Sequence, residues 1–275
     1  MESGKEPLVG EVLVVYRRRW FILALFSFLA LYQCCVWNTW GPVVNSVQAV
    51  YGWDTVLVSL FANWGSIAFL VFMVPTLYLQ DINLRATVLL SSGLVALATS
   101  IRCSFLIFPD IPDSAFTILC HVSAILNGIP GIVVTSAPAA VSAAWFPPQE
   151  RVTATSISQM LNNVGQGVSF LVASLMVEEP GNGTGLVNST SPGPGVEEVR
   201  AQLQHYLLLL AVPAITTFLL ALLYFPSKPP TAPSRSSQEP RLDFATGVKQ
   251  LVTLASHHHH HAFIKWLTLL ELLDY

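Results

Sequence analysis

The stretch RRRWFILALFSFLALYQCCVWNTWGP, residues 17–42, determines how the rest of the chain is interpreted. Its arginines lead into an apolar run of about 20 residues, the length that an α-helix needs to cross the hydrocarbon of a bilayer. The apolar part of a cleavable signal peptide is roughly half as long, so we interpret this run as a retained first membrane span. Two tryptophans then flank an Asn-Thr pair before Gly41 and Pro42 end the run.

The composition of the whole chain is typical of a membrane protein. Of the 275 residues, 53% are apolar and 11% are charged, and the mean hydropathy is +0.58. Soluble domains carry about 25% charged residues, so too few charges remain here to cover a surface that faces water. The formal net charge of −3 does not indicate a nucleic-acid partner, which would favour a basic patch.

The sequence contains no pattern typical of catalysis. It has no nucleophile paired with a base and no phosphate-binding loop. The cysteines lie in or beside apolar runs and lack zinc spacing, which favours buried small side chains: Cys34, Cys35, Cys103 and Cys120. We therefore expect no catalytic residue, no cofactor, no metal site and no enzymatic activity.

Six apolar segments are long enough to cross a bilayer, and each must be helical because unpaired backbone groups are too costly in hydrocarbon. The predicted spans are residues 20–41, 55–79, 86–102 with a weak continuation to 108, 116–146, 152–177 and 206–225. The expected fold is therefore an all-α membrane protein. It consists of a six-helix bundle over residues 20–225, preceded by a cytosolic N-terminus at residues 1–19.

Lysine and arginine are distributed unevenly between the two sides of this bundle. With the N-terminus inside, the inner segments hold eleven of them and the outer segments hold two, Arg102 and Arg200, which together account for all thirteen. Cytoplasmic loops carry such an excess, so we expect both termini to be cytosolic. Two N-glycosylation sequons, at Asn182 and Asn188, fall in a polar loop that this topology places outside. We interpret them as acceptors, with chance occurrence as the alternative.

The part of the chain after the sixth span differs from the bundle in composition. Residues 226–250 are rich in Pro and Ser, which is typical of a flexible cytosolic linker. The tail, residues 251–275, holds a histidine run at 257–261 and a short apolar stretch that is too brief to span, so that an interfacial helix is its alternative. The histidine run either binds metal or is a low-complexity or cloning remnant. A truncated or alternatively spliced end would also explain this tail.

Polar side chains inside membrane spans usually face a bundle interior or a water-filled cavity. The fifth span carries amides at positions i, i+3, i+4 and i+7, on one helical face: Gln159, Asn162, Asn163 and Gln166. This amide stripe indicates a cavity wall, and interhelical hydrogen bonding is the alternative. A neighbouring stripe of small residues, Gly165, Ser169 and Ala173, is suited to close helix packing.

The end of the first span adds further candidates for a cavity wall. Gln33, Trp37 and Trp40 would share one face of a continuous helix, and Asn38 lies on an adjacent face. Trp40, close to the end of the run, fits an interfacial aromatic belt. Trp37 lies a turn deeper and offers a ring face to a flat or cationic solute. We expect Gln33, Trp37 and Asn38 to contact the substrate together with the amide stripe.

The fourth span contributes two more candidates. Asn127 lies in a stretch rich in Gly and Pro, which is typical of helices that bend beside an alternating-access cavity, with plain backbone irregularity as the alternative. His121 is the residue inside the first five spans that titrates near physiological pH, since Asp54 and Asp81 lie at span ends. It is therefore a candidate for proton coupling. A histidine that is hydrogen-bonded in a helix interface is the alternative.

Several motifs, read in order, resemble those of a known transporter family. They are the first span with the VVNSVQAVYGW that follows it, then LRATVLL, IRC, LNG and WFPPQERVTAT, within residues 16–230. They resemble the N-terminal half of solute carrier family 49, which includes the feline leukaemia virus subgroup C receptor-related transporters and lies within the major facilitator superfamily. The resemblance implies a twelve-span fold of two six-helix bundles that rock about a central site.

The resemblance also implies transport of small organic solutes, which are choline-like, haem-like or vitamin B6-like in different members. For a lysosomal member that the motifs also resemble, it implies proton-driven pyridoxine export. Trp37 matches a tryptophan of the aromatic wall, and Asn163 matches a glutamine that faces the substrate in some relatives. Asp81 and Arg85 match the ends of a gating-loop motif, here one residue shorter and without its Gly. The dileucine sorting signal of the lysosomal relative is not matched. The resemblance implies the lysosomal membrane, with the plasma membrane as the alternative.

Two hypotheses of function follow. The first is a secondary-active transporter, or its N-terminal half, that moves a small organic solute through the lipid bilayer by alternating access, with protons as the candidate coupling ion. The second is a truncated, non-transporting membrane isoform that associates with itself or with a full-length carrier.

Overall fold

The computed structural model describes residues 14–179, 194–231 and 233–234, and the single residues 246 and 253. The chain divides into two compact units, Met1–Ser237 and Gln238–Tyr275. All the helices described below belong to the first unit. Both predicted sequons and the histidine run lie outside the described residues.

The described part of the first unit is built from α-helices and contains no strand. The helices are α1 (Arg18–Trp37), α2 (Val44–Tyr51), α3 (Thr55–Ile82), α4 (Leu84–Arg102), α5 (Asp113–Trp145), α6 (Pro148–Met176) and α7 (Val196–Tyr224). Two short 3₁₀ turns, Gly41–Val43 and Ser104–Leu106, follow α1 and α4. The six long helices correspond to the six predicted spans, so the predicted all-α bundle is confirmed.

Five segments are long and apolar enough to cross a membrane: Arg18–Tyr51, which joins α1 to α2, and the helices α3, α4, α5 and α7. Helix α6 is 29 residues long, or about 44 Å at 1.5 Å per residue. It is more polar than the others because it carries the amide stripe. Its contacts follow α1 along most of that helix, so α6 occupies the same depth of the bundle.

Helices α1 and α6 run parallel and pack closely. The Ser27 and Ser158 hydroxyls lie 2.9 Å apart, and about two turns further on Cys35 Sγ donates to Gly165 O at 3.0 Å. A Cβ added at Gly165 would overlap the Leu31 carbonyl oxygen. Gly165, Ser169 and Ala173 are all buried. The small-residue stripe predicted from the sequence therefore does allow close helix packing.

Helices α3 and α5 form a second parallel pair. Trp64 Nε1 donates to His121 Nδ1 at 3.0 Å, and Ser136 Oγ lies 2.7 Å from Gln80 Oε1 at the other end of the pair. Between these contacts the two backbones meet, since a Cβ at Gly128 would lie 2.6 Å from Gly65 O. Asp54 caps the start of α3 by accepting from the Leu57 N–H at 2.8 Å.

An ion pair between helices marks each end of the bundle. At the end where α1 begins, Arg19 pairs with Glu150 at 3.0 Å, and we call this the Arg19 end. At the opposite end, Arg200 pairs with Asp113 at 2.9 Å and donates to Val50 O at 3.1 Å, and we call this the Arg200 end. These contacts join α1 to α6, and α7 to α5 and α2.

The first span is not one continuous helix to residue 41, as the sequence predicted. Helix α1 ends at Trp37, and the chain passes through the Gly41–Val43 turn before α2 begins. Pro42 lacks a backbone N–H and cannot continue the hydrogen-bond ladder of α1. The weak continuation predicted for residues 103–108 is also not a helix beyond one 3₁₀ turn, and Ile107 and Phe108 are exposed.

Candidate functional site

A cavity of about 310 Å³ opens between α1, α3, α5 and α6. It is lined by Gln33, Cys34, Trp37, Asn38, Phe69, Gly131, Val134, Thr135, Asn162 and Gln166. Half of these residues were candidates from the sequence: Gln33, Trp37, Asn38, Asn162 and Gln166. The structure therefore brings the end of the first span and part of the amide stripe to one place.

Three amides of the cavity wall use their NH₂ groups to bind backbone carbonyls. Gln33 donates to Asn127 O at 3.1 Å, Asn38 to Cys34 O at 2.9 Å and Asn162 to Ala30 O at 2.8 Å. A backbone carbonyl only accepts, so the NH₂ group must be the atom that faces it. The side-chain oxygens of these amides are left to accept hydrogen bonds, which favours a solute that carries donors.

Two aromatic rings, Trp37 and Phe69, belong to the same wall. The Trp37 ring is confined by two glycines. A Cβ added at Gly65 would lie 2.7 Å from Cη2 of Trp37, and a Cβ added at Gly131 would lie 3.2 Å from Cζ3 of Trp37. These glycines leave room for an indole at this point of the bundle. The neighbouring Gln33 amide donates to Asn127 O.

No charged side chain is among the residues that line this cavity. A cationic solute would therefore be held by ring faces and by oxygen acceptors, without an ion pair. An anion would meet acceptor oxygens and aromatic faces, both of which repel it. The wall thus suits a neutral polar or cationic organic molecule.

Three other candidates lie beside the cavity but are not part of its lining. Asn127 is buried behind Gln33, its backbone oxygen receives the Gln33 bond, and its own Oδ1 has no hydrogen-bond partner in the described part of the chain. Gln159 donates to the backbone oxygen of Thr135 at 3.0 Å, one turn away from the lining amides. Asn163 is exposed on α6. A substrate role for these residues stays a prediction.

Trp40 does not occupy the interfacial belt that the sequence indicated. Its side chain is 3% exposed and packs at ring-centroid distances of 5.1 Å from Trp53 and 6.0 Å from Phe61. The expected shared face with Gln33 and Trp37 does not form because α1 ends at Trp37, so helical periodicity no longer applies to the residues that follow.

Arg102 is also placed differently from its sequence assignment. It was counted among the cations of the outer loops, but it is 3% exposed inside the bundle. With Arg102 buried, Arg200 alone is left in the predicted outer segments, against eleven cations in the inner ones. This sharpens the charge asymmetry on which the predicted orientation depends.

His121 lies outside the lining of the cavity, between α5 and α3. Its Nδ1 accepts from Trp64 Nε1 at 3.0 Å, and its ring centroid is 4.7 Å from that of Phe61. The interface histidine named as the alternative is therefore what the structure contains. The proton-coupling role is a separate property, and it stays a prediction.

The two residues of the predicted gating loop lie at the Arg19 end. Asp81 is in the last turn of α3, and Arg85 is in the first turn of α4, where it donates to Leu222 O of α7 at 3.2 Å. This bond ties the start of α4 to the end of α7. A latch formed by Asp81 and Arg85 stays a prediction.

Sequence reasoning missed the other half of the cavity lining: Cys34, Phe69, Gly131, Val134 and Thr135. Most of these residues are apolar or small and have no individual signal in a membrane span. The spacing i, i+4 of Gly131 and Thr135 on α5 was the available cue, because it places them on one face.

Comparison with known proteins identifies the family. The sequence profile of the Major Facilitator Superfamily matches residues 26–272. The chain belongs to the Major Facilitator Superfamily. Each half of a superfamily member contains two three-helix repeats of inverted topology, so that span one corresponds to span four and span two to span five. The parallel pair α1–α6 consists of spans one and five, and the parallel pair α3–α5 consists of spans two and four. The repeat therefore relates one pair to the other, as this pattern requires.

Curated relatives narrow the similarity within the superfamily. The chain is 35% identical over 243 residues to the Solute carrier family 49 member 4 homolog of Xenopus tropicalis, covering 87% of this chain and 51% of the relative. It is 25% identical over 273 residues to Solute carrier family 49 member A3 of the same species, covering 92% and 51%. It is 27% identical over 228 residues to Choline/ethanolamine transporter FLVCR1 of Mus musculus, covering 80% and 38%.

These relatives confirm the resemblance to solute carrier family 49 that the motifs indicated. The chain spans about half the length of the curated family 49 relatives. The matching half of such a superfamily member contains six spans, in agreement with the six long helices of this bundle.

Proposed function

We propose that this bundle forms half of a secondary-active transporter, and that the cavity between α1, α3, α5 and α6 binds a small organic solute during alternating access. The observation that carries the proposal is the composition of the cavity wall. Two aromatic rings and several amides line it, and none of its lining residues is charged. Such a wall can exchange the hydration shell of a polar solute for hydrogen bonds without trapping the solute by a strong ion pair.

The solute that suits this wall best is choline-like or pyridoxine-like. A ring face attracts a quaternary ammonium group by about 0.5–2 kcal/mol, and the amide oxygens can accept from hydroxyl groups. A mouse relative is named as a choline/ethanolamine transporter, which supports the first class. A flat pyridine ring bearing hydroxyl groups would use the same rings and oxygens.

The proposal also includes the orientation of the chain, the membrane in which it lies and the coupling ion. Both termini are cytosolic, and the loop with Asn182 and Asn188 is lumenal or extracellular and glycosylated. The charge asymmetry supports this orientation. The membrane is that of the lysosome, with the plasma membrane as the alternative, and protons entering at His121 are the candidate driving ion.

A second candidate function is a non-transporting partner that assembles with a second copy or with a full-length carrier. The observation that favours it is the outer face of α3, where large apolar side chains are exposed: Leu70, Val71, Phe72 and Val74. This face contacts either lipid or a second bundle. Binding of a solute by the isolated chain would distinguish the two candidates, since the partner role requires none.

The test is equilibrium binding of radiolabelled choline and pyridoxine to the purified chain in lipid nanodiscs. We expect Trp37→Ala to weaken binding of the preferred solute by about tenfold, as loss of a cation–π contact implies. Trp20→Ala is the matched control, because Trp20 is exposed near the Arg19 end. Absence of binding, or equal effects of the two substitutions, would exclude the proposed solute site.

A further inference from the structure

The break after α1 leaves backbone carbonyls that have no partner within the helix. Side chains of three other helices supply donors to them. Ser169 of α6 donates to Cys35 O at 3.3 Å and to Asn38 O at 3.1 Å, and Tyr206 of α7 donates to Thr39 O at 3.5 Å. The third donor is Arg102 of α4, whose Nη1 lies 3.2 Å from Val36 O.

Arg102 makes two further hydrogen bonds whose directions are fixed. Its Nη1 donates to Thr39 Oγ1 and its Nε donates to Ser123 Oγ, both at 2.6 Å. Arginine only donates, so each hydroxyl accepts from it and must pass its own proton onward. Thr39 donates to Val36 O at 2.7 Å, and Ser123 donates to Ala98 O at 2.7 Å. The two arms of the guanidinium therefore end on different parts of the bundle.

Among the described residues, no carboxylate pairs with the buried guanidinium of Arg102. The ion pairs of the described residues join Arg19 to Glu150 and Arg200 to Asp113, and neither involves Arg102. The carbonyl end of α1 carries partial negative charge, which stabilises a cation placed there. The Trp40 ring, 5.4 Å from the guanidinium, adds a cation–π contact. The end of α1 thus takes the place of a counterion.

The position of these contacts determines what they hold. Arg102 reaches Val36 and Thr39, and the two residues between them are Trp37 and Asn38, which line the cavity. The Trp37 ring itself is confined by Gly65 and Gly131. The indole is therefore fixed through its ring by two glycines and through its backbone by Arg102.

We infer that Arg102 is a positioning residue of the solute site. It acts through the backbone of Val36 and Thr39 and sets the direction in which Trp37 and Asn38 enter the cavity. What the cavity binds is a matter of the proposed function, on which this inference builds. The geometry of the wall can be measured without a solute.

Cys34 provides that measurement. It lines the cavity and is partly exposed, whereas Cys35, Cys103 and Cys120 are buried. The Asn38 amide lies against it, with Nδ2 3.6 Å from Sγ. A shift of Asn38 or Trp37 changes access to this thiol. The rate at which a charged methanethiosulfonate reagent modifies Cys34, read by peptide mass spectrometry on the chain in nanodiscs, therefore reports on the wall. A Cys34→Ala chain gives the background.

Two substitutions separate positioning from general stabilisation. Thr39→Val and Ser123→Ala each remove one 2.6 Å bond of Arg102 and one onward bond to a carbonyl, but only Thr39 belongs to the break. We expect Thr39→Val to raise the Cys34 rate about fivefold or more, as expected when local opening loses about one hydrogen bond. Ser123→Ala should leave the rate within about twofold of the parent, since Arg102 Nη1 keeps its bonds to Val36 O and Thr39 Oγ1. Arg102→Lys keeps the charge but cannot bind both hydroxyls as a fork, so it should behave like Thr39→Val.

The outcomes divide cleanly for chains that elute from gel filtration as the parent does. A rise in Thr39→Val without a rise in Ser123→Ala supports the inference, and this pair decides the matter if Arg102→Lys does not fold. An equal rise in both, or no rise in Thr39→Val, overturns it. Choline binding measured on the same samples tests the proposed function alone. A parent chain that binds no choline but shows the selective rise would refute the solute assignment and leave Arg102 as the residue that sets the wall.

Discussion

His121 is held in one tautomer by its neighbour. The indole of Trp64 can only donate, so Nδ1 of His121 must present a lone pair, and the ring proton lies on Nε2. This bond exists only with the neutral imidazole. Protonation would place a second N–H against the indole and break the contact between α3 and α5. A proton at this site would therefore be sensed by the packing of two helices.

We predict that His121→Gln preserves the fold and removes the stimulation of choline uptake by an acidic extracellular medium. Glutamine offers an oxygen that can still accept from Trp64, but it does not titrate. Uptake is measured at several pH values in cells that express the chain at equal surface levels.

The control is His121→Leu, which leaves the Trp64 N–H without an acceptor and should cost about 1–3 kcal/mol of stability. Unchanged pH dependence in His121→Gln would remove this histidine from proton coupling and leave it as an interface residue.

Individual residues were predictable from the sequence where a regular helix places them. Gln33 and Trp37 lie inside α1, and both line the cavity as periodicity indicated. Trp40 and Arg102 were misplaced, because the position of Trp40 depends on where α1 ends and the burial of Arg102 depends on Val36 and Thr39. Those partners are more than 60 residues away from Arg102 in sequence, and no local pattern encodes such contacts.

At the scale of elements, the interface between α1 and α6 depends on the absence of a side chain. The Cβ that residue 165 lacks would meet Leu31 O, and the nearby Cys35 thiol donates to Gly165 O at 3.0 Å. Close approach of the backbones brings Ser169 within reach of Cys35 O and Asn38 O as well. A shift of α6 would therefore disturb the break after α1 and the cavity wall together.

We predict that Gly165→Ala lowers the stability of the bundle by about 1–3 kcal/mol, the usual cost of forcing extra volume into a packed interior. Gly167→Ala is the matched control, because a Cβ there meets nothing within 4 Å and alanine is the better helix former. The two variants are compared by thermal unfolding in the same detergent. Equal melting temperatures would show that α6 can move away from α1 without cost.

The elements themselves were largely predictable. Apolar runs of sufficient length identified all six long helices, and the main errors lay at ends, where α5 begins at Asp113 and α7 at Val196, upstream of the predicted spans. The polar residues there, such as Glu197 and Arg200, extend the helices beyond the apolar core. Arg200 pairs with Asp113. Hydropathy gives no information about such polar extensions.

At the scale of the whole molecule, the charge at the two ends predicts the orientation in the membrane. Several arginines cluster at the Arg19 end, whereas Arg102 is buried and Arg200 is engaged with Asp113. The loop that holds both sequons begins and ends at the Arg200 end, since α6 finishes there and α7 starts there. The Arg19 end is therefore expected on the cytosolic side of the membrane, and the Arg200 end on the lumenal or extracellular side.

We predict that the chain expressed in mammalian cells is N-glycosylated. Glycosidase treatment should increase its mobility on a gel, and Asn182→Gln combined with Asn188→Gln should abolish that increase. Each single substitution should reduce it by about half if both sites are used. If a chain that has passed through the secretory pathway is insensitive to glycosidase, the predicted orientation is wrong.

The polarity of α6 has a consequence for biogenesis. A nascent helix leaves the protein-conducting channel for lipid when its own partitioning is favourable, and side chains such as Gln and Asn oppose this. Helix α1 is synthesised about 130 residues earlier and would already be in the bilayer, offering Ala30 O to Asn162 and a thiol to Gly165 O. Insertion of α6 then depends on its contacts with α1 as well as on its own partitioning into lipid. A substitution on the face of α1 that contacts α6 would therefore act during synthesis. Helix α6 would fail to enter the membrane, and the polypeptide would be degraded.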